Sequence, residues 1–229
     1  MAANTLSILP PSVNNMTVRI FVRAAGIDVE EVDVWGTTTS PEYVEKYPAH
    51  LTPMLEEDDL VRGALGESCA IMAYLCNKHG LDRFYPTDPA ERAVIDNAMF
   101  YLIGTLYPLL TRATYPALGF PQYPGEVGTS EADEAMKDKA VEDATAALAD
   151  PLEVYGAFFI GDKQFIGGDS PSIADFRFAA TLEFLRAIDY EFPAWAEEYM
   201  QRMESTLGDA YSEPAADVRG YIEHVRSQG

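Results

Sequence analysis

Residues Tyr47 to Asp59 read YPAHLTPMLEEDD, and at their centre Pro53 stands directly against the apolar pair Met54-Leu55 with no turn glycine between. Proline lacks the N–H that an interior strand residue donates to its ladder, so it is tolerated at the entrance of a strand. The X-Pro bond is also where a cis peptide is found when one is found at all, and a cis proline is usually a kept feature of a tight junction. The stretch predicts a strand starting at Met54, entered through a cis Thr52-Pro53 bond that turns the backbone N–H and C=O of Thr52 outward. Backbone groups presented in that way can pair with an extended peptide as an added strand.

The sequence on either side builds a small mixed sheet. Leu6, Ile8 and Leu9 make a short strand ended by Pro10-Pro11. Val18, Phe21, Val22 and Ala25 then recur at helical spacing up to Gly26, and Val32 and Val34 alternate with acidic residues as a second strand. This β-α-β start leads to a hairpin expected to pair Met54-Leu55 with Leu60-Val61 across an acidic turn. A helix follows from Ser68 to Gly80. After FYPTDPAER the strands stop: Asp88 caps a helix with Pro89 at its first position, and a long apolar stripe runs on through Leu109, with a bend expected at Pro108. Further helices are expected over 131–155, 172–188, 193–205 and 214–225. The one beginning SPSIADFRFAATLEFL is apolar on nearly all sides, which predicts the central helix of a bundle, started by the capping pair Ser172 and Asp175. The fold class expected is α/β followed by all-α, with an N-terminal domain over 1–84 and a helical domain over 89–229.

Composition narrows the partners. A chain of 229 residues that is 48% hydrophobic can bury a sizeable core. Its net charge of −21 repels nucleic-acid phosphates and anionic membrane surfaces, so neither is expected as a partner. No basic start followed by an apolar signal core opens the sequence, and a cytoplasmic location is expected. Cys69 and Cys76 lie on one face of the same helix, where ordinary helix residues are not easily bridged, and read as reduced thiols. Three histidines, none near the cysteines, give a metal site no local support, so no metal is expected.

The chemistry lies in what surrounds Thr52. Glu67-Ser68 opens a helix, where backbone N–H groups and a hydroxyl can hold a carboxylate while the Glu67 carboxylate receives an ammonium. One end of an amino acid is gripped there. The turn PPSVNNM at the start of the first helix offers Ser12 as a hydrogen-bond donor to a thiol, favouring the thiolate. Ser12, Asn14 and Asn15 also suit plain helix capping, and Glu67 with Ser68 also suit a plain helix start.

Taken together, HLTPML, the helix start ESCAI, RAVIDNAMFYLIGTLYP and GGDSPSIADF resemble the cytosolic glutathione transferase family over nearly the whole chain, and its serine-type theta and delta classes in particular. The resemblance implies a thioredoxin-like N-terminal domain, glutathione as co-substrate, and a homodimer. It also implies that Ser12 polarises the thiol, that His50 approaches the glycyl carboxylate, that Thr52 pairs with the cysteinyl backbone with Leu51 and Pro53 beside it in the glutathione site, and that Glu67 and Ser68 hold the γ-glutamyl group. The sequence departs from the family in the first turn, where Val13-Asn14-Asn15-Met16 replaces a Pro-Cys-Arg run, leaving Asn14 or Asn15 open as sulfur ligands. Tyr107, Arg112, Tyr115 and Phe120 are expected around the second substrate, a small hydrophobic electrophile. The likeness to acidic actinobacterial members that open alkene-derived epoxides implies an epoxide of the isoprene or styrene type. Glutathione-dependent peroxidase or thioether-cleaving chemistry, and a non-catalytic interaction module, are the alternatives carried forward.

Overall fold

The structure, a computed structural model, describes residues 4–120 and 133–228. Its N-terminal part runs β1 (Thr5–Ile8), α1 (Val13–Ala25), β2 (Glu30–Asp33), α2 (Pro41–Lys46), β3 (Met54–Glu56), β4 (Ala64–Gly66) and α3 (Ser68–His79). The strands form one mixed sheet in the order β2-β1-β3-β4, with β1 parallel to β2 and the other two pairs antiparallel. Leu6 faces Leu55 across the central pair, and both are fully buried, as the period of two in each strand requires. Helix α1 ends where Gly26 takes a left-handed conformation, which costs glycine no Cβ clash. The Thr52-Pro53 bond is cis.

Two features of this half differ from the sequence reading. The hairpin returns through Ala64–Gly66 rather than Leu60-Val61, because backbone bonds from Leu60 to Glu57 and from Gly63 to Leu60 fold that stretch into a wide turn. Val61 is left fully exposed. Helix α2 was not expected at all, although Ser40-Pro41 is a start signal and the Ser40 hydroxyl accepts from the Tyr43 N–H.

In the helical half, Asp88 caps α4 (Pro89–Tyr101) by accepting from the Ala90 and Glu91 N–H groups. A π-helical turn, Leu102–Leu106, joins it to α5 (Tyr107–Thr114). The ladder loosens there because Pro108, four residues past Gly104, has no N–H to return to it. The expected bend is thus a wide turn placed just before the proline. The segment Pro89–Thr114 has a membrane-like length and hydropathy, but it packs on the helices that follow.

The stretch expected as one helix from 131 begins, within the described residues, as α6 (Glu134–Ala147). It then breaks at Leu148 into α7 (Ala149–Val154), which carries Pro151 in its first turn, and a π-helical turn, Tyr155–Ile160. Helix α8 (Ile173–Leu182) is buried at every position and tightens into a 3₁₀ segment, Glu183–Ile188, so the expected central helix stands. Last come α9 (Ala194–Leu207) and α10 (Asp209–Arg226), the latter starting a turn before the Pro214 where it was expected to begin. Buried Arg19 on α1 pairs with Glu31 at 2.9 Å and with Asp217 on α10 at 2.7 Å, tying the sheet to the last helix.

Candidate active site

A cavity of about 330 Å³ opens where the sheet meets the helices, a size within the range of small-molecule pockets. One wall is Leu51, Thr52 and Pro53, which precede β3, and the next is Glu67 and Ser68 at the start of α3. Asn14, in the first turn of α1, closes that side. Opposite stand Ile103 from the π-helical turn, Tyr107 and Tyr115 from α5 and its end, and Arg177 from α8.

Several local reasons hold these groups in place. The backbone of Glu67 has φ 65°, a conformation that costs a residue with a Cβ on the order of 1–3 kcal/mol, and its side chain makes no cap bond. Strain of that kind marks a position kept for something other than the helix start. Glycine at position 66 beside it leaves room for the Tyr47 ring, since a Cβ there would lie 2.1 Å from the Tyr47 hydroxyl and would displace it. Burial and the Glu67 charge push the Tyr47 phenol up. Asn14 donates from Nδ2 to the Tyr107 hydroxyl at 2.8 Å, and the Tyr107 and Tyr115 hydroxyls are 3.2 Å apart. Asn15, fully buried, donates to the Thr52 hydroxyl at 3.0 Å and so fixes the chain just before Pro53.

Ser12 occupies the N-cap of α1 but makes no side-chain cap bond, which leaves its hydroxyl uncommitted to the helix. It is half-buried beside the cavity rather than on its wall. His50 is exposed and has a left-handed backbone, φ 45°. Phe120 packs in an aromatic cluster, edge-on to Tyr115 and stacked on Tyr221, behind the cavity wall. Arg112 departs from expectation: it faces the other side of α5 and lines a groove against α6 with Leu109, Lys139 and Asp143, because five residues along a helix turn the side chain well away from Tyr107. The stretch beyond Phe120, PQYPGEVGTS over 121–130, is rich in proline, glycine and tyrosine and lies outside the described residues.

The sequence reading missed Arg177. It lies within SPSIADFRFAATLEFL and is almost wholly buried, with its guanidinium 4.7 Å from the centre of the Tyr107 ring. The signal was a lone cation in a helix apolar on nearly all sides, a position that charged residues almost never take unpaired. Cys69, next to Ser68, lies close enough to Arg177 to feel its charge, but desolvation dominates and pushes the thiol up, away from thiolate character. Both cysteines are free.

The arrangement is that of a two-domain protein with a thioredoxin-like sheet domain, a helical domain, and a cavity between them that offers hydrogen-bond donors, a carboxylate and a pair of phenols. A family model described as the glutathione S-transferase N-terminal domain matches residues 6–83, and one for the C-terminal domain of the same family matches residues 138–208. Glutathione S-transferase 1 of Manduca sexta is 35% identical over 123 residues, 52% of this chain, and the match spans about half of that relative, 54%. Glutathione S-transferase D7 of Anopheles gambiae is 27% identical over 215 residues, covering 91% of this chain and 89% of its own. The solved structure of a glutathione transferase homolog from Drosophila mojavensis with bound glutathione superposes with a TM-score of 0.76 at 25% identity, covering 99% of this chain and 98% of that one. The chain belongs to the cytosolic glutathione S-transferase family of enzymes.

Proposed function

We propose that this protein conjugates glutathione to a small hydrophobic electrophile. The observation that carries the reading is the convergence on one cavity of the strained Glu67, Ser68 at the start of α3, Thr52 and the first turn of α1. An α-carboxylate suits the positive end of α3 and the Ser68 hydroxyl, an α-ammonium suits Glu67, and the peptide backbone of glutathione suits Thr52. The sulfur then points to the first turn, where the Ser12 hydroxyl and the Asn14 amide donate to it and favour the thiolate. Asn15 acts one layer back, through Thr52. His50 reaches the glycyl carboxylate from the exposed rim.

The electrophile enters over Ile103 and the two phenols. For an epoxide, the thiolate attacks one ring carbon, the C–O bond breaks, and the electron pair goes to oxygen. A phenol of the Tyr107–Tyr115 pair donates to that alkoxide, which takes its proton from the phenol or from water. The modest volume left beside a tripeptide limits the electrophile to a small one, as isoprene and styrene oxides are. A reductive reaction that uses a cysteine finds none in the first turn, and Cys69 is half-buried with its thiol pushed up by desolvation. Phe100, 70% exposed on α4, offers an apolar contact to a second copy in a homodimer.

The test is direct. Calorimetry should register glutathione binding, and incubation with glutathione and styrene oxide should form the thioether faster than buffer does. No uptake of glutathione removes the reading; uptake without conjugation of any epoxide, halide or activated alkene leaves a binding module.

A further inference from the structure

Two cations are buried among the described residues, and they are treated differently. Arg19 has two carboxylates. Arg177, 3% exposed, has none within ion-pair distance among the described residues. Its Nη1 donates to the Thr181 hydroxyl at 3.0 Å, its guanidinium carbon lies over the Tyr107 ring, the nearby Cys69 thiol feels its charge, and its Nε has no partner. Cys69 does not supply the missing charge, since burial holds its thiol protonated. A guanidinium withdrawn from water with no counter-charge is strongly unfavourable, yet this one lines the cavity.

The position of Arg177 says which anion completes it. Its neighbour Cys69 follows Ser68 directly, so the guanidinium stands beside the first turn of the twelve-residue helix α3, whose N–H groups and dipole also attract negative charge. Glu67, on the same wall, has the opposite preference. Two groups that attract a carboxylate and one that attracts an ammonium fit the two charges carried on a single carbon of an α-amino acid. In a chain of net charge −21, an anionic ligand also needs a local cation to offset the field it must enter.

We propose that Arg177, reaching from the helical domain, is a binding residue for the α-carboxylate of the γ-glutamyl end of glutathione and shares it with Ser68. This rests on the reading that the cavity takes glutathione. It assigns to the central helix a direct part in holding the co-substrate, so that the two domains grip the same carboxylate.

The experiment pairs a ligand change with a residue change in the full chain. Calorimetry compares glutathione with an analogue whose γ-glutamyl group is replaced by 4-aminobutyryl, which keeps the ammonium and lacks the α-carboxylate. Wild type should bind the analogue roughly 10- to 100-fold more weakly, the range for a hydrogen bond to a charged group. Arg177→Met should lose a similar factor for glutathione and bind the analogue as wild type does, with Arg177→Lys between the two. Without ligand, Arg177→Met should melt no lower than wild type, because it removes an unpaired charge. Equal weakening of both ligands in Arg177→Met, or a ligand-free protein that melts well below wild type, makes Arg177 structural and overturns the proposal. A wild type that binds both ligands alike overturns it with no variant needed. A wild type that takes up neither ligand sinks the glutathione reading itself.

Discussion

Two polar clusters lie at the start of the central helix, two residues apart, and they are built to opposite standards. Around Asp175, every group is answered. Its Oδ1 accepts from the Ile166 N–H and the Tyr199 hydroxyl, both at 2.7 Å, and its Oδ2 accepts from the Ser172 N–H and hydroxyl at 2.8 and 2.7 Å and from the Gly167 N–H at 3.0 Å. Gly167 has no room for a Cβ, which would lie 2.6 Å from the Ser170 carbonyl. Around the cavity the accounts stay open: Arg177 Nε and Asn15 Oδ1 are buried without partners, Glu67 holds a costly backbone, and Ser12 declines the cap bond its position offers. A closed polar network specifies structure, whereas an open one beside a cavity is matched to what enters. The contrast predicts that substitutions in the first cluster cost stability, and substitutions in the second cost binding or rate.

The largest effect belongs to the closed cluster. Asp175→Ala strands five donors, counted from those hydrogen bonds, and should destabilise the fold by roughly 3–5 kcal/mol, the scale for breaking a buried charged network. Denaturant unfolding measures it. A loss below about 1 kcal/mol would mean that the network is dispensable and would blur the contrast.

Next comes Ser12→Ala. A lost N-cap usually costs about 0.5–2 kcal/mol, but this hydroxyl makes no cap bond, so the melting temperature should hardly move. If the hydroxyl serves the thiolate instead, kcat/KM should fall roughly 10- to 100-fold. Asn14→Ala run beside it distinguishes the two donors: activity kept in Ser12→Ala and lost in Asn14→Ala moves the thiol to the amide. The opposite result, a lower melting point with intact rate, returns Ser12 to a structural role.

Glu67→Gly should show both sides of the contrast in one variant. Glycine adopts φ 65° without strain, so stability should rise by about 0.5–1 kcal/mol. Glutathione should bind about tenfold more weakly once its ammonium loses the carboxylate. Thermal melting and calorimetry on the same sample test the pair. Gain without loss would mean that the strain serves no ligand.

How much of this was legible in the sequence follows from the same physics. Period-two and helical patterns placed β1, α1, β2, α3 and the buried α8, because burial imposes those periods directly. The Asp88 and Ser172 caps were legible since their bonds are local. The return strand of the hairpin was misplaced because Leu60-Val61 is the more strand-like pair, while the bonds that make it a turn link backbone groups that carry no residue signature. Within the cavity, Thr52, Glu67, Ser68 and the two tyrosines come together as expected, each fixed to an element whose start or end the sequence marks. Arg177 stood out in the sequence only as a lone cation in a mostly apolar helix, and its place in the site was not legible because only packing reveals which side of an all-buried helix faces a cavity.

The smallest effect is expected at Arg112, and it tests where the boundary between the two kinds of region falls. The sequence offered Arg112 as part of the electrophile pocket, since it lies between Tyr107 and Tyr115 along the chain. Those tyrosines are eight residues apart, a little over two helical turns, and share a face, whereas Arg112 is five residues from one and three from the other and turns toward α6. Its groove there holds Lys139 and Asp143, an exposed i,i+4 pair that solvent screens. Arg112→Gln should therefore leave both stability and kcat/KM for a neutral epoxide within about twofold of wild type, the range of surface substitutions. A fall of tenfold or more in kcat/KM with unchanged glutathione affinity would place the electrophile in the groove between α5 and α6, and the phenol pair would lose its role in opening the ring.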